Sequence, residues 1–551
     1  MSVATAEPRP RQHAARRPAG STLTGTGTMI RFILRRDRVR LPIWIGAIVL
    51  SVVGSLPTFT ETYPTAADRQ ARADLLDNPA TVALTGPGYG TDGDDYTFGA
   101  MTANELLLWV AIAMALMSIL LMVRHTRAEE ETGRTELLRA GVLGRHAGTT
   151  AAFTVVAGAN LLIGLLLGLL MPGALDELSM SSSLLFGAAV ASVGLVFTGV
   201  GALAAQVTEH ARAATGIGAA ALGVAFALRA IGDVGAEALS WLSPIGWAQR
   251  TKVYVDDRWW PLLISAALTA LLMAAAYATT SRRDVGAGLV QPRPGSPRAG
   301  KDLASPLGLA VRLQRGGLLG WGVGLLVFGI AYGSLAPSIE EFVSDNSTLQ
   351  DFLGDAGSLI DGFMAMVMMM MALLAAAYGL SSMLRLRGEE TSGRAEPVLA
   401  TAVSRTRLAA SHLTVALGGS LVLMLAGGLG LGVMAAITLE DGGMVGKMLG
   451  AAVAHLVGIW LVVAIVVALF GWAPQLVALG WVVLTYGVVV GVLGGFFQFP
   501  DWVTKISPFH AASSLPGGDL GTVAVVIMGV LAVALIWIGL LGFRRRDLTT
   551  T

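Results

Sequence analysis

Cysteine is missing altogether from this chain. Its absence excludes disulfide bonds, thiolate metal sites and a cysteine nucleophile, and leaves the redox compartment open. Charge is scarce as well. Asp, Glu, Lys and Arg make up 14% of 551 residues, against roughly 25% in an average soluble domain. With 54% hydrophobic residues and a mean hydropathy of +0.66, the composition is that of an integral membrane protein. Lysine is nearly absent, 4 residues against 34 arginines, and with so much Ala and Gly this suggests a GC-rich bacterial genome. The net charge of +1 gives no argument for nucleic acid or an acidic partner, so the placing of the charges matters more than their sum.

What the chain has is apolar length. A helix needs ~20 apolar residues to cross the hydrocarbon core, and twelve stretches qualify: 41–60, 104–123, 149–171, 183–206, 213–231, 259–280, 316–336, 360–383, 411–437, 447–470, 474–495 and 520–543. Positive residues near spans are retained in the cytoplasm. With both termini inside, 30 of the 38 Lys and Arg residues fall on the cytoplasmic side, a separation that an odd or inverted topology would lose. The opposite loops are acidic, with Asp92, Asp94 and Asp95 in one and Glu340, Glu341, Asp345, Asp351 and Asp355 in its counterpart. The expected location is a bacterial plasma membrane, multi-pass. The N-terminal stretch is basic and Pro-rich without the apolar core of a signal peptide, so residues 1–28 read as a disordered cytoplasmic tail.

One charged stretch is written twice. RAEEETGRTELLRAGVLGR (127–145) and RGEETSGRAEPVLATAVSR (387–405) share eight of nineteen positions: Arg127/Arg387, Glu129/Glu389, Glu130/Glu390, Gly133/Gly393, Arg134/Arg394, Glu136/Glu396, Ala140/Ala400 and Arg145/Arg405. Around it, Ser243-Pro244 matches Ser507-Pro508, Arg282-Arg283-Asp284 matches Arg545-Arg546-Asp547, and Arg35, Arg38 and Trp44 are echoed by Arg312, Arg315 and Trp321. The expected fold is therefore all-α, with twelve transmembrane helices as two parallel six-helix repeats, 29–290 and 304–551, joined by a cytoplasmic linker at 291–303. Each copy of the charged loop follows the second span of its half. Gly133 and Gly393 can end the descending stem helix. A short second helix can follow, with Glu136 or Glu396 in its first turn and Arg145 or Arg405 at its end, each matched to the helix dipole; Pro397 is tolerable in such a first turn. Glu130 and Arg134, like Glu390 and Arg394, have the spacing of an i,i+4 pair. A loop obeying only the positive-inside rule needs Arg or Lys, and does not need an acidic pair, a glycine and a third Glu in register.

EETGRTELLRAGVLGR resembles the loop of ATP-binding-cassette type-2 permeases, whose pattern E-x-G-T/R-x-E-x-L-L-x-x-x-V-S-R forms a coupling helix after the second span. The second copy ends in ATAVSR, closer to that pattern, but has Pro397 and Val398 for its Leu-Leu, while the first has Gly144 where Ser is usual. MIRFILRRDRVRLPIW and LGLAVRLQRGGLLGWG look like the interfacial elbow helices that open each half in that family. Fused twelve-span chains of this kind resemble actinobacterial exporters of polyketide antibiotics, the tetronasin-type group, with a type V exporter-like transmembrane domain. The resemblance implies two soluble ATPase subunits, one on each coupling helix, with ATP and magnesium held by those partners and no cofactor on this chain. It implies transport out of the cell, and an amphiphilic or apolar antibiotic or drug as substrate fits the lack of charge within the spans. It also places Ser243, Pro244 and Trp247, with Ser507 and Pro508, in short re-entrant helices at the exit; read from residues alone they fit equally well a Pro-initiated turn with an interfacial Trp.

Other motifs carry less. GSPRAGK (295–301) has the letters of a phosphate loop, but Asp302 replaces the magnesium-binding Ser or Thr and no strand precedes it, so this chain is not expected to be an enzyme. The seven histidines lack metal-ligand spacing; His455 within span ten reads as a packing residue. Arg229 and Asp233 are spaced to pair. MAMVMMMM (364–371) reads first as packing, and otherwise as a deformable wall for varied substrates. Gly164-x-x-x-Gly168 and Gly428-x-x-x-Gly432 would permit close helix approach. The alternative function is an ion-coupled secondary drug transporter, which needs ionisable groups deep within the spans; here nearly all charges lie at span ends or in loops.

Overall fold

The computed structural model describes residues 21–74, 76, 79–91, 96–134, 143–235, 237–284, 286–290, 297–298, 300–337, 356–497, 501–518 and 520–547. Glu136 and the acidic residues Asp92, Asp94, Asp95, Glu340, Glu341, Asp345, Asp351 and Asp355 lie outside them. Two compact units divide the chain, Met1–Pro294 and Gly295–Thr551. Among the described residues the structure is all-helical, with twelve helices long and apolar enough to cross a membrane.

In the first unit an amphipathic helix, Thr26–Arg36, precedes span one, Arg40–Thr62. Span two is Phe98–Glu131, span three Ala147–Ala174, span four Met180–Val207, span five Ala211–Val234 and span six Pro261–Thr280. Span four is the centre of this unit and packs on spans two, three and six. It can lie close because its facing residues are small. A Cβ on Gly187 would fall 1.9 Å from the carbonyl oxygen of Gly164 in span three, and one on Gly168 would meet Leu184. The first of the two glycine patterns is thus a true helix contact. Asn160 of span three turns to another neighbour and donates to Ser118 of span two at 2.9 Å.

In the second unit the spans are Pro306–Gly333, Ile360–Thr391, Arg405–Thr438, Gly443–Trp472, Pro474–Gly491 and Thr522–Arg545, numbered seven to twelve. Span ten holds the central place, packed on spans eight, nine and twelve. The second glycine pattern lines its contact with span nine, where Gly428 faces Ala452 and Gly432 faces Val445.

Spans two and eight run on well past the apolar stretches seen in sequence. At 1.5 Å per residue, the 34 residues of span two reach about 50 Å, some 20 Å more than the hydrocarbon core is thick. The excess carries the charged loops. The two openings differ from each other, against expectation. In the first unit the helix stops at Asp37 and restarts at Arg40, whereas Pro306–Gly333 runs unbroken through the basic segment into the span. Pro42 accounts for the break, since it lacks the N–H that a continuous helix would bond to Arg38; Leu319 stands at the matching place in the second unit.

Candidate functional site

Each charged loop begins where its stem ends. In the first unit Thr126 interrupts the stem, a last turn spans Arg127–Glu131, and Gly133 reverses the chain at φ +72°. In the second, the stem is continuous to Thr391 and Gly393 turns at φ +71°. The amides of Gly133 and Gly393 donate to the carbonyls of Glu130 and Glu390, both at 3.0 Å. These are left-handed positions suited to glycine.

The second acid of the repeated pair, Glu130 or Glu390, is not a surface group. Glu130 accepts from Nη1 of Arg127 at 2.7 Å and from Nη1 and Nη2 of Arg283, each at 2.8 Å. Glu390 accepts from Arg387 at 3.3 Å and from both terminal nitrogens of Arg546 at 2.6 and 2.7 Å. Arg283 and Arg546 follow the last span of their own half. Each unit therefore ties its final residues to the loop after its second span by a two-pronged, charge-assisted pair, the strongest kind available. The buttress behind each arginine differs. Arg283 Nε donates to Gln206 at the end of span four, at 2.6 Å; Arg546 lies over the rings of Phe470 and Phe543, near 5 Å from each centroid.

The expected i,i+4 pairs do not form. Once the glycine turns the chain, Arg134 and Arg394 swing to the preceding carboxylate, 3.9 Å from Glu129 and 2.9 Å from Glu389. Glu129 is held as well by Arg36 of the amphipathic helix at 2.5 Å, and Glu389 by Arg385 at 3.8 Å. The short second helix is Ala395–Leu399, with Glu396 in its first turn. Arg405 does not end it. Ser404 caps span nine and Arg405 is that span's first residue, a place the helix dipole disfavours; it is held instead by a bond to the carbonyl of Arg546 at 2.5 Å. Arg145 similarly donates to the carbonyl of Ser281 at 3.2 Å. Gly144 has its own reason. The segment 22–24 runs against it, with bonds from the amides of Gly144 and His146 to Thr24 and Thr22, and a Cβ at 144 would lie 2.2 Å from the Thr22 carbonyl oxygen.

Over 539 residues the chain is 40% identical to the multidrug efflux system permease protein Rv1217c of Mycobacterium tuberculosis (strain ATCC 25618 / H37Rv), covering 96% of both proteins. It belongs to this family of multidrug efflux permeases. Residues 303–544 also match the family model described as the C-terminal domain of multidrug efflux system permease Rv1217c.

At the other end of the permease's first half, Ser243 caps a short helix, Pro244–Gln249, and donates to the carbonyl of Ala225 at 2.7 Å. Pro244 and Trp247 are buried, and the indole N–H bonds Trp241. The motif is thus a short, packed helix opened by Pro244. In the second half Ser507 is buried and the Pro508 carbonyl oxygen presses on Gly458 of span ten, 2.2 Å from where a Cβ would stand. Beside the first motif lies a cavity of about 610 Å³, lined by the stacked Trp241 and Trp260 with Arg250, Asp233 and Glu237. Beside the second is one of about 730 Å³, lined by Asp361, Met366 and Met369. Within the methionine run, Met366 and Met369 line this cavity while Met364, Met368 and Met371 are fully buried in the helix core. Arg229 and Asp233 do pair, at 3.7 Å, both buried. His455 bonds the carbonyl of Ala451 through Nδ1, as a packing histidine does.

Proposed function

We propose that the chain is the membrane subunit of an ATP-driven exporter, moving amphiphilic or apolar drugs outward by alternating access, with two copies of a soluble ATPase docked on 127–145 and 387–405. The observation that carries this reading is the twice-built brace: Glu130 to Arg283 and Glu390 to Arg546. A loop locked to both the second and the last span of its half transmits a push to both, and a flexible loop would absorb it. The relative is the permease of a multidrug efflux system, which supports the existence of partners. Both termini, on this reading, are cytoplasmic.

The brace also redistributes the roles of the loop residues. Glu130 and Glu390 are turned inward, so partner contact falls to the exposed side chains, among them Glu131, Arg134, Arg394, Glu396 and Pro397. Docking would be tested by co-purification. Two ATPase subunits per chain are expected, with both lost in Arg134→Glu/Arg394→Glu; retained stoichiometry and export in that variant would remove the docking role. One observation favours the ion-coupled alternative: His455 is buried within span ten with Nε2 lacking a partner. Proteoliposomes holding this chain alone decide between them, since export under a proton gradient without ATPase would establish ion coupling.

A further inference from the structure

Between spans one, two and five of the first half lies a cavity of about 500 Å³ whose lining includes Arg40, Arg124 and Arg212 above Ile43, Trp44 and Leu120. That size suits a small-molecule or headgroup site, since such pockets run from roughly 300 to 1,000 Å³. Its chemistry is graded along the membrane normal. Arg40 is the first residue of span one, Arg212 the second of span five, and Arg124 stands near the foot of span two's apolar stretch. The apolar residues lie one turn deeper, and Ile43 and Leu120 continue the wall onto the exposed helix surface, 62% and 37% accessible.

Among the described lining residues there is no carboxylate. Arg124 is partly balanced, its Nε being 3.5 Å from Asp37, which in turn holds His125 at 2.8 Å. Glu131 stands nearby but is turned to the start of span five, where it accepts from the amide of Ala211 at 2.9 Å. The side chains of Arg40 and Arg212 are exposed and make no ion pair or hydrogen bond with any described residue. The duplication does not require this arrangement. The places matching Arg40 and Arg124 hold Gly317 and Leu384, and span eleven opens with Pro474-Gln475-Leu476. A device for driving two equal halves would appear twice.

We propose that this cavity binds the phosphate headgroup of an anionic phospholipid from the leaflet at the loop end of the first half, with the acyl chains lying along Ile43 and Leu120. Three guanidiniums supply the charge complement, and basic pockets between helices at this level are a recurrent way of holding such headgroups. That this leaflet is the cytoplasmic one rests on the orientation proposed above.

The test uses the full chain in mild detergent, with lipid retention read by native mass spectrometry against added phosphatidylglycerol or phosphatidylcholine. The wild type is expected to retain phosphatidylglycerol preferentially, and Arg40→Gln/Arg212→Gln to hold it roughly 30-fold less tightly. Where the double variant lowers the melting temperature, Arg212→Gln alone at its exposed helix start is read instead. An unchanged lipid complement in the variant, or equal retention of phosphatidylcholine, overturns the proposal. Displacement of the lipid by excess inorganic phosphate would mark a plain anion site and overturn it too. Orientation is read separately. Thr208→Cys, in a chain with no other cysteine, labelled by an impermeant maleimide from outside intact cells would reverse the sidedness while leaving the lipid count as measured.

Discussion

Arg546 reaches Glu390 with both terminal nitrogens, 2.6 and 2.7 Å from its two carboxylate oxygens, across 156 residues of chain. Glu390 is 2% exposed, so its charge has little access to water and depends on that guanidinium. Breaking a buried pair from one side costs up to about 3–5 kcal/mol when the remaining charge is uncompensated, and here Arg387 at 3.3 Å stays as a weaker partner. Arg546→Met is therefore expected to lower the melting temperature of the purified chain sharply. Arg546→Met/Glu390→Leu, which removes both charges, should recover much of the loss. A double variant no better than the single one would show that the pair is not what holds the loop.

The two turn glycines allow a cleaner experiment. Nothing lies within 4 Å of a Cβ built on Gly133 or Gly393, so Gly→Ala there adds no clash and tests the backbone alone. At φ near +72° the left-handed penalty is about 1–2 kcal/mol per residue. Either alanine variant should lose that much stability and Gly→Asn should lose less, as read by thermal unfolding. Alanine and asparagine variants of equal stability would mean that this conformation is not required.

Close helix approach predicts a contrast within one family of substitutions. Gly187→Ala drives a methyl into the Gly164 carbonyl, whereas Gly158 in span three has open space around it. Overpacking of this kind costs about 1–3 kcal/mol. Gly187→Ala should reduce folded yield and melting temperature, and Gly158→Ala should leave both as they are. Equal effects would disprove the packing argument for spans three and four.

Alkaline pH should find a weak point away from the two repeated charged loops. Tyr89, Tyr96 and Tyr254 lie between spans, and burial raises each phenol above its ordinary value near 10. A raised phenol stays protonated in the folded chain while its unfolded counterpart ionises. Its stabilising contribution is complete below pH about 10 and is lost progressively above it. These three should be the last of the eight tyrosines to ionise in an ultraviolet titration, and unfolding should accompany them. Early, reversible ionisation of all eight would refute the assignment.

Sequence alone determined the membrane class, the number of spans and the place of the charged loops, because apolar length and charge position follow directly from the solvent each segment occupies. It also marked Gly133 and Gly393, since a turn of that kind leaves a residue-level signature. What it could not reach was which side chain meets which. Arg283 and Arg546 stand in the sequence only as parts of a repeated Arg-Arg-Asp, and nothing in their spacing links them to carboxylates 153 and 156 positions upstream. Local periodicity likewise paired Glu130 with Arg134, but a reversal at glycine swings the arginine to its neighbour and leaves Glu130 for the end of span six. Partner choice across such distances is settled by how the helices pack, and packing is a property of the folded half as a whole.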